Sequence, residues 1–430
     1  MTGWARRLAA VAPPPVFAVA GVDARHAVQD LHLLPGLRLV DAPRQASVLL
    51  LAGRLTDQLL DAAVAAHDAM PTPRGVVSWQ PDGGGPPRGP FTGAELVGDA
   101  DPVEVIVALH RSLHLGVRAS TPTIQPDVDP APWRGEGPYG QGGSGMTGGV
   151  PYGRPMATRE DDRDGLSLDA LPVPVGPLFT AFPPGMSARV TFKGDLVHRF
   201  ELGPSPYDDV RREPDVFLRA LTEPVAVAAL EVARARALLR WTAWALRVQG
   251  LDAQAQRVLA LARAATPGDE ARVRRVRRWV THPLVTGRQL RAIGRVDTDA
   301  LAGLAVGPVG RAAGLIDDLR AEDPAYRELG FTPITGQAGD VAARWQQRLS
   351  EAEQALDLAT RAGSLRTGGV GAIESPRGRL TADSTPTTRL WSLLPELVTG
   401  VEWGDAVATL ASLDLDLDEL PAPIASRDVA

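Results

Sequence analysis

Apolar runs without alternation recur in the first quarter of the chain, at Val16 to Gly21, Leu37 to Val40, Val48 to Gly53 and Val76 to Trp79. Between them lie a helix-like piece reaching Leu33 and a helical run from Thr56 to Met70, where Leu59, Leu60, Ala63 and Ala66 share one face. Strand, helix and strand with short Gly/Pro punctuation is a βαβ pattern. Strands that are apolar throughout suit a parallel sheet covered on both faces. A last helix is predicted from Pro102 to Leu115, with Asp101 as N-cap and Pro102 at the first helical position. Residues 1–118 therefore predict a small doubly wound α/β domain.

The pattern then stops. Residues 119–165 run from proline-rich (TPTIQPDVDPAPW) to glycine-rich (GEGPYGQGGSGMTGGVPYGRP), which predicts a linker, stiff first and flexible after. No strand precedes the glycines and no Gly-Lys-Ser/Thr follows them, so a phosphate loop is not expected. Asp161-Asp162-Arg163-Asp164 predicts a capping and ion-pair cluster at the linker's end. Beyond it a polar, proline-broken leader gives way to two alternating segments, SARVTF and LVHRFEL, around Lys193-Gly194-Asp195. Apolar residues at every second position about a Gly-Asp turn predict a β-hairpin. Helical periodicity dominates from there, over Pro224 to Gly250, Leu251 to Ala265, Glu270 to Val280 and Val341 to Arg361. Residues 166–430 predict a mainly α domain with a small antiparallel sheet.

Composition narrows the chemistry. The 430 residues exceed one ordinary core and are 44% hydrophobic, enough to fold. Lys193 is the only lysine, the remaining basic residues being arginine, and a formal charge of -6 gives no support for nucleic-acid binding. There is no cysteine, so this chain offers no thiolate for disulfides, nucleophilic catalysis, zinc or iron–sulfur clusters. Arg54, Asp57 and Arg311 interrupt every candidate window of about 18 apolar residues, so no membrane span is expected. Arg6-Arg7 precedes apolar residues, but Pro13-Pro14-Pro15 splits them, and VFAVAG reads as a strand and not as part of a signal peptide. A cytoplasmic chain is the expectation.

Three stretches carry a resemblance. Val175-Gly176-Pro177, Pro184-Gly185 and the strand pair turning at Gly194-Asp195-Leu196-Val197 resemble the N-terminal hairpin of the large subunit shared by respiratory complex I and membrane-bound [NiFe] hydrogenases. Glu374-Ser375-Pro376-Arg377-Gly378 resembles that family's glutamate-x-proline-arginine-glycine turn. Leu393-Leu394-Pro395-Glu396-Leu397 and Val407 to Leu420 resemble its closing helix and Ser-Leu-Asp segment. The first domain is similar to the complex I small subunit that carries the terminal iron–sulfur cluster, most densely in Ala42 to Ala46, Leu51 to Thr56 and Asp68 to Ser78. The resemblance implies a flavodoxin-like sheet fused to a hydrogenase-type large subunit. It places cluster loops roughly at Ala20 to Asp23, Gln80 to Asp82 and Asp99 to Asp101, none of which holds a thiol. Neither a four-iron cluster nor a nickel–iron site is therefore expected.

The candidate site residues follow from the same resemblance. The loop Gly176 to Gly185, with Pro177, Phe179, Phe182 and Pro184, stands where complex I holds a quinone headgroup with histidines. Here Phe and Pro occupy those places, which leaves an apolar lining and no strong side-chain proton donor. Glu374 and Arg377 belong to the turn that in the family helps build the region between the two subunits; read alone, the stretch is a tight turn with an ion pair beside it. Asp414, Asp416 and Asp418 have the charge for a hard cation, but an acidic run ending a helix predicts a solvated face. His110 and His114, four apart on a predicted helix, are expected at or near the surface without a third ligand; His198 predicts a half-buried sheet residue. No metal site is expected.

The expected function is a cofactor-less structural or coupling subunit, peripheral on the cytoplasmic membrane face, whose partners are membrane-embedded complex I-like or antiporter-like subunits. One alternative is a quinone-binding subunit of an NADH-quinone oxidoreductase; another is a soluble scaffold.

Overall fold

The computed structural model describes residues 3–80, 89–91, 93–127, 158–161, 165–207 and 215–420. Most of the expected linker, residues 128–157, and the Asp162-Arg163-Asp164 part of the acidic cluster lie outside these.

The first part folds as α1 (Gly3–Val11), β1 (Pro15–Ala20), α2 (Arg25–Asp30), β2 (Arg38–Leu39), β3 (Val48–Ala52), α3 (Asp57–Ala69), β4 (Gly75–Trp79), β5 (Glu95–Val97) and α4 (Val103–Leu115). The five strands form one parallel sheet in the order β2-β1-β3-β4-β5. This is the doubly wound order with its reversal between β1 and β3. Central β3 explains why an unalternating apolar run was needed: Leu49 and Leu51 join the core beneath α3, while Val48, Leu50 and Ala52 join the one beneath α4. Each such fully buried Val or Leu side chain contributes about 1.5–3 kcal/mol. Thr56 caps α3, and Asp101 accepts a hydrogen bond from the Val103 N–H at the start of α4. Two elements go beyond the sequence pattern. Helix α1 precedes the triple proline, and the three residues of β5 close one edge of the sheet.

The remainder opens with an antiparallel sheet of β6 (Thr158–Asp161), β7 (Ser167–Val175), β8 (Ala188–Lys193) and β9 (Leu196–Leu202). The β8–β9 hairpin turns at Gly194-Asp195. The proline-broken leader, however, is strand β7. Its prolines, Pro172 and Pro174, share one parity and lie beyond Ala170, where pairing with β6 ends. Among the described residues no strand pairs with that side of β7 beyond Ala170, so there a missing N–H costs no ladder bond.

Then come α5 (Val216–Ala220), α6 (Val227–Val248), α7 (Asp252–Ala264), α8 (Glu270–Val280), a π-helical turn at Pro283–Gly287, α9 (Thr298–Leu301), α10 (Pro308–Ala312), α11 (Pro324–Glu328) and α12 (Val341–Arg361). A hairpin of β10 (Ala372–Ser375) and β11 (Gly378–Thr381) follows, and α13 (Pro386–Trp391), α14 (Leu394–Val398) and α15 (Trp403–Leu413) close the fold. Helices α6 and α12 form the axis of the helical body, with Trp241 and Trp345 meeting edge to face at 5.4 Å. Helix α15 stops at Leu413 because Asp414 turns left-handed, at φ 56°. The residues after it run back towards α2. One continuous apolar core contains Phe17 and Leu49 of the parallel sheet, Phe182 and Phe200 of the hairpin region, and Leu410 of α15. Among the described residues no helix is long and apolar enough to cross a membrane.

Candidate functional site

The carboxyl ends of β1 and β3 mark the crevice where open α/β sheets commonly hold ligands. In this chain the crevice is filled from within. Both carboxylate oxygens of Asp23 accept the Arg54 N–H at 3.0 Å. Gly53 sits at φ 69°, and a Cβ there would lie 2.4 Å from Asp23 Oδ1. Gln80, at the end of β4, donates to the Gly53 carbonyl at 3.1 Å. Asp23 and Gln80, from two of the positions implied as cluster loops, thus both bond the Gly53-Arg54 backbone that follows β3.

Two residues after Asp23, Arg25 opens α2 and reaches the far end of the chain. Its Nη1 lies 2.7 Å from Asp416 Oδ1 and 3.2 Å from Asp418 Oδ1, and its guanidinium stacks 4.5 Å over the Tyr207 ring. Arg377 approaches from the β10–β11 turn, donating to Asp416 Oδ2 at 2.9 Å, Glu419 Oε1 at 3.1 Å and the Asp414 carbonyl at 3.0 Å. Thr387 donates to Glu419 at 3.0 Å and accepts the Asp416 N–H. The Asp414–Asp418 run is therefore not the solvated face its alternation suggested. Asp416 is buried because guanidiniums brought from distant segments compensate it.

A second ionic cluster fills the helical body. Arg311 of α10 makes a two-pronged contact with Glu351 of α12, at 2.8 and 2.9 Å, and also meets Glu374 at 2.8 Å and Asp318 at 3.2 Å. Arg320 joins Asp318 and Glu231, Arg234 pairs with Glu231 and donates to the Ser375 and Glu374 carbonyls, and the Tyr326 hydroxyl donates to Glu231 at 2.6 Å. Four carboxyl groups (Glu231, Asp318, Glu351, Glu374) thus face three guanidiniums (Arg234, Arg311, Arg320). The surplus falls on Glu374: burial, then the charge of Asp318, push its carboxyl up to about 7, against the pull of Arg311. Asp318 is held below the usual carboxylate range by Arg320 and Arg311, which outweigh the opposing effect of its burial.

The tight turn expected here has ion pairs beside it on two sides, Glu374 with Arg311 and Arg377 with Asp416 and Glu419. Each enters a different cluster. Sequence reasoning missed Arg25, Tyr207 and the partners of Glu374. One signal was available: Arg311 interrupts an apolar, glycine-rich stretch, where a guanidinium is tolerated only with buried carboxylates.

The loop from Gly176 to Gly185 is only partly in the core: Phe182, Pro183 and Gly185 are buried, while Gly176, Phe179, Thr180 and Pro184 are exposed. Phe182 is buried, and Phe179 and Phe182 lie 6.0 and 5.8 Å from the Trp403 ring, which Phe192 meets from the hairpin at 5.3 Å. Gly176 and Gly185 are left-handed, at φ 86° and 82°. A Cβ would stand 2.0 Å from the Met186 carbonyl at the first and 2.4 Å from the Tyr207 ring at the second. Elsewhere His110 is buried against Ser47 Oγ, at 2.8 Å, and the Ala9 carbonyl, with His114 half-buried beside it. His198 is half-buried in β9. No group of three or more His, Cys, Asp or Glu suited to a metal ion occurs among the described residues.

Residues 229–385 match the family described as the 49 Kd subunit of the respiratory-chain NADH dehydrogenase. That segment is 49 kDa-subunit-like. It contains every member of the Glu374 cluster, and Arg377 as well. No curated protein matches the chain. Among solved structures, a chain from the membrane-bound sulfane sulfur reductase (MBS), an archaeal respiratory membrane complex, aligns at 18% identity with a TM-score of 0.41. The alignment covers 58% of this chain and 98% of that one.

Proposed function

We propose that this chain is a structural or coupling subunit of a membrane-associated, complex I-like assembly, peripheral on the cytoplasmic face and without a redox cofactor of its own. In this proposal a small-subunit-like α/β part is fused to a large-subunit-like part. The observation that carries it is the 49 kDa-subunit-like segment built around a buried ionic cluster in a chain that contains no cysteine. Carboxylates and guanidiniums, not thiolates, occupy the seam between the parallel sheet and the closing segment. The β10–β11 turn links that seam to the charged interior, so a shift at one is felt at the other. The partners proposed are membrane-embedded complex I-like or antiporter-like subunits.

The test is a gentle-detergent purification of the tagged chain from its native membranes, with mass spectrometry of its partners and a metal scan. Membrane-embedded respiratory or antiporter-like subunits without stoichiometric iron or nickel are expected. Recovery of the chain alone would overturn the assignment. A saturable quinone-analogue titration would shift it towards quinone binding.

A further inference from the structure

Helix α8 and the turn after it carry a charge pattern unlike the rest of the molecule. Between residues 270 and 295 stand eight arginines and one acid, Glu270, a net of +7 in a chain whose total is -6. The other residues together therefore carry -13. Val273 and Val280 bury one side of α8. At 100° per residue, Arg275, Arg278 and Trp279 fall within about 100° of one another on the opposite side. Arg275, Arg278, Arg288 and Arg291 are exposed and form no ion pair among the described residues, whereas Arg274 and Arg277 are tied to Glu353. Two apolar side chains stand among these cations: Trp279, 37% exposed, and Leu284, 80% exposed on the π-helical turn.

We propose that this face lies directly on an anionic lipid bilayer. Guanidiniums would meet the headgroup phosphates while Trp279 and Leu284 enter the boundary between headgroups and acyl chains, as in interfacial amphipathic helices. A nucleic acid would reward the arginines but not an exposed leucine. An anionic bilayer rewards both, and the net -13 of the other residues favours turning them away from it. This contact is with lipid itself and goes beyond attachment through partner subunits.

Flotation of the purified chain with vesicles tests the proposal without those subunits. Vesicles of phosphatidylcholine with about 30 mol % phosphatidylglycerol should carry the chain upward, and pure phosphatidylcholine should not. The double variant Arg275→Glu/Arg278→Glu should lose about 30-fold or more in partitioning, from roughly fivefold per cation removed. Leu284→Ser should lose severalfold with its melting temperature unchanged. The proposal is overturned if the unmodified chain stays at the bottom with anionic vesicles, if the charge-reversed chain floats as well, or if a DNA duplex competes the chain off the vesicles. Any of these results leaves the subunit assignment standing, since membrane partners can recruit the chain without this face.

Discussion

Glu374 and Arg377 flank one tight turn and serve opposite clusters: Glu374 Oε1 accepts from Arg311 at 2.8 Å, and Arg377 Nη1 donates to Glu419 at 3.1 Å. Ser375 pairs with Gly378 across the hairpin, and Gly378, at φ 136°, adopts a backbone that disfavours other residues. A rigid two-residue turn therefore joins the charged interior to the seam.

Arg311 should be the most sensitive position of the interior. Arg311→Met would leave Glu351, Glu374 and Asp318 facing one another without their shared cation. A loss of about 3–5 kcal/mol is expected in urea unfolding followed by circular dichroism. A loss below about 1 kcal/mol would show that the cluster reorganises around Arg320 instead.

Glu374 sets a pH dependence. Its carboxyl is raised from 4.5 to about 7, so the folded chain favours the protonated form. That contribution is complete below about 4.5 and is lost as pH rises through about 7. Glu374→Gln keeps a neutral group throughout, so the variant should gain stability relative to the parent as pH climbs, by on the order of 3 kcal/mol. Histidines such as His32, lowered to about 3 by burial and Arg247, titrate in both proteins and cancel in the difference. Parallel stability–pH curves for the two proteins would refute this assignment of the proton.

Arg25 and Asp416 should be energetically coupled. In a double-mutant cycle of Arg25→Met and Asp416→Asn, about 1–3 kcal/mol of interaction energy is expected from a contact at 2.7 Å with little solvent access. Additive effects would mean that Arg377 alone neutralises Asp416.

Gly185→Ala should cost more than an ordinary surface change, because the added methyl meets the Tyr207 ring on a left-handed backbone. A loss of about 2 kcal/mol is expected, together with a change in tyrosine fluorescence as the ring moves off Arg25. Alanine at Gly194, where a Cβ would meet nothing within 4 Å, controls for the backbone effect alone.

The parallel strands and the long helices were legible because their signal is local: β3 is an unbroken apolar run, β4 is interrupted only by Ser78, and α6 and α12 keep a helical period over many turns. Strand β7 was not, since Pro172 and Pro174 argue against any strand until the free edge is known. The Asp414–Asp418 run was misjudged for a related reason. Burial depends on Arg25 and Arg377, and nothing within the acidic stretch announces partners so distant in sequence. Arginine pairs with the same carboxylate whether it stands on the surface or in the core. Only the tertiary fold distinguishes the two.

The contact between Arg25 and Asp416 spans 391 residues. On a ribosome adding roughly 5–20 residues per second, the first strand would wait about 20–80 s for the segment that latches it. Throughout that interval Arg25 lacks the carboxylates that compensate it. Truncation ahead of Asp416 should therefore disturb the environment of Arg25 and α2 as well as the closing segment.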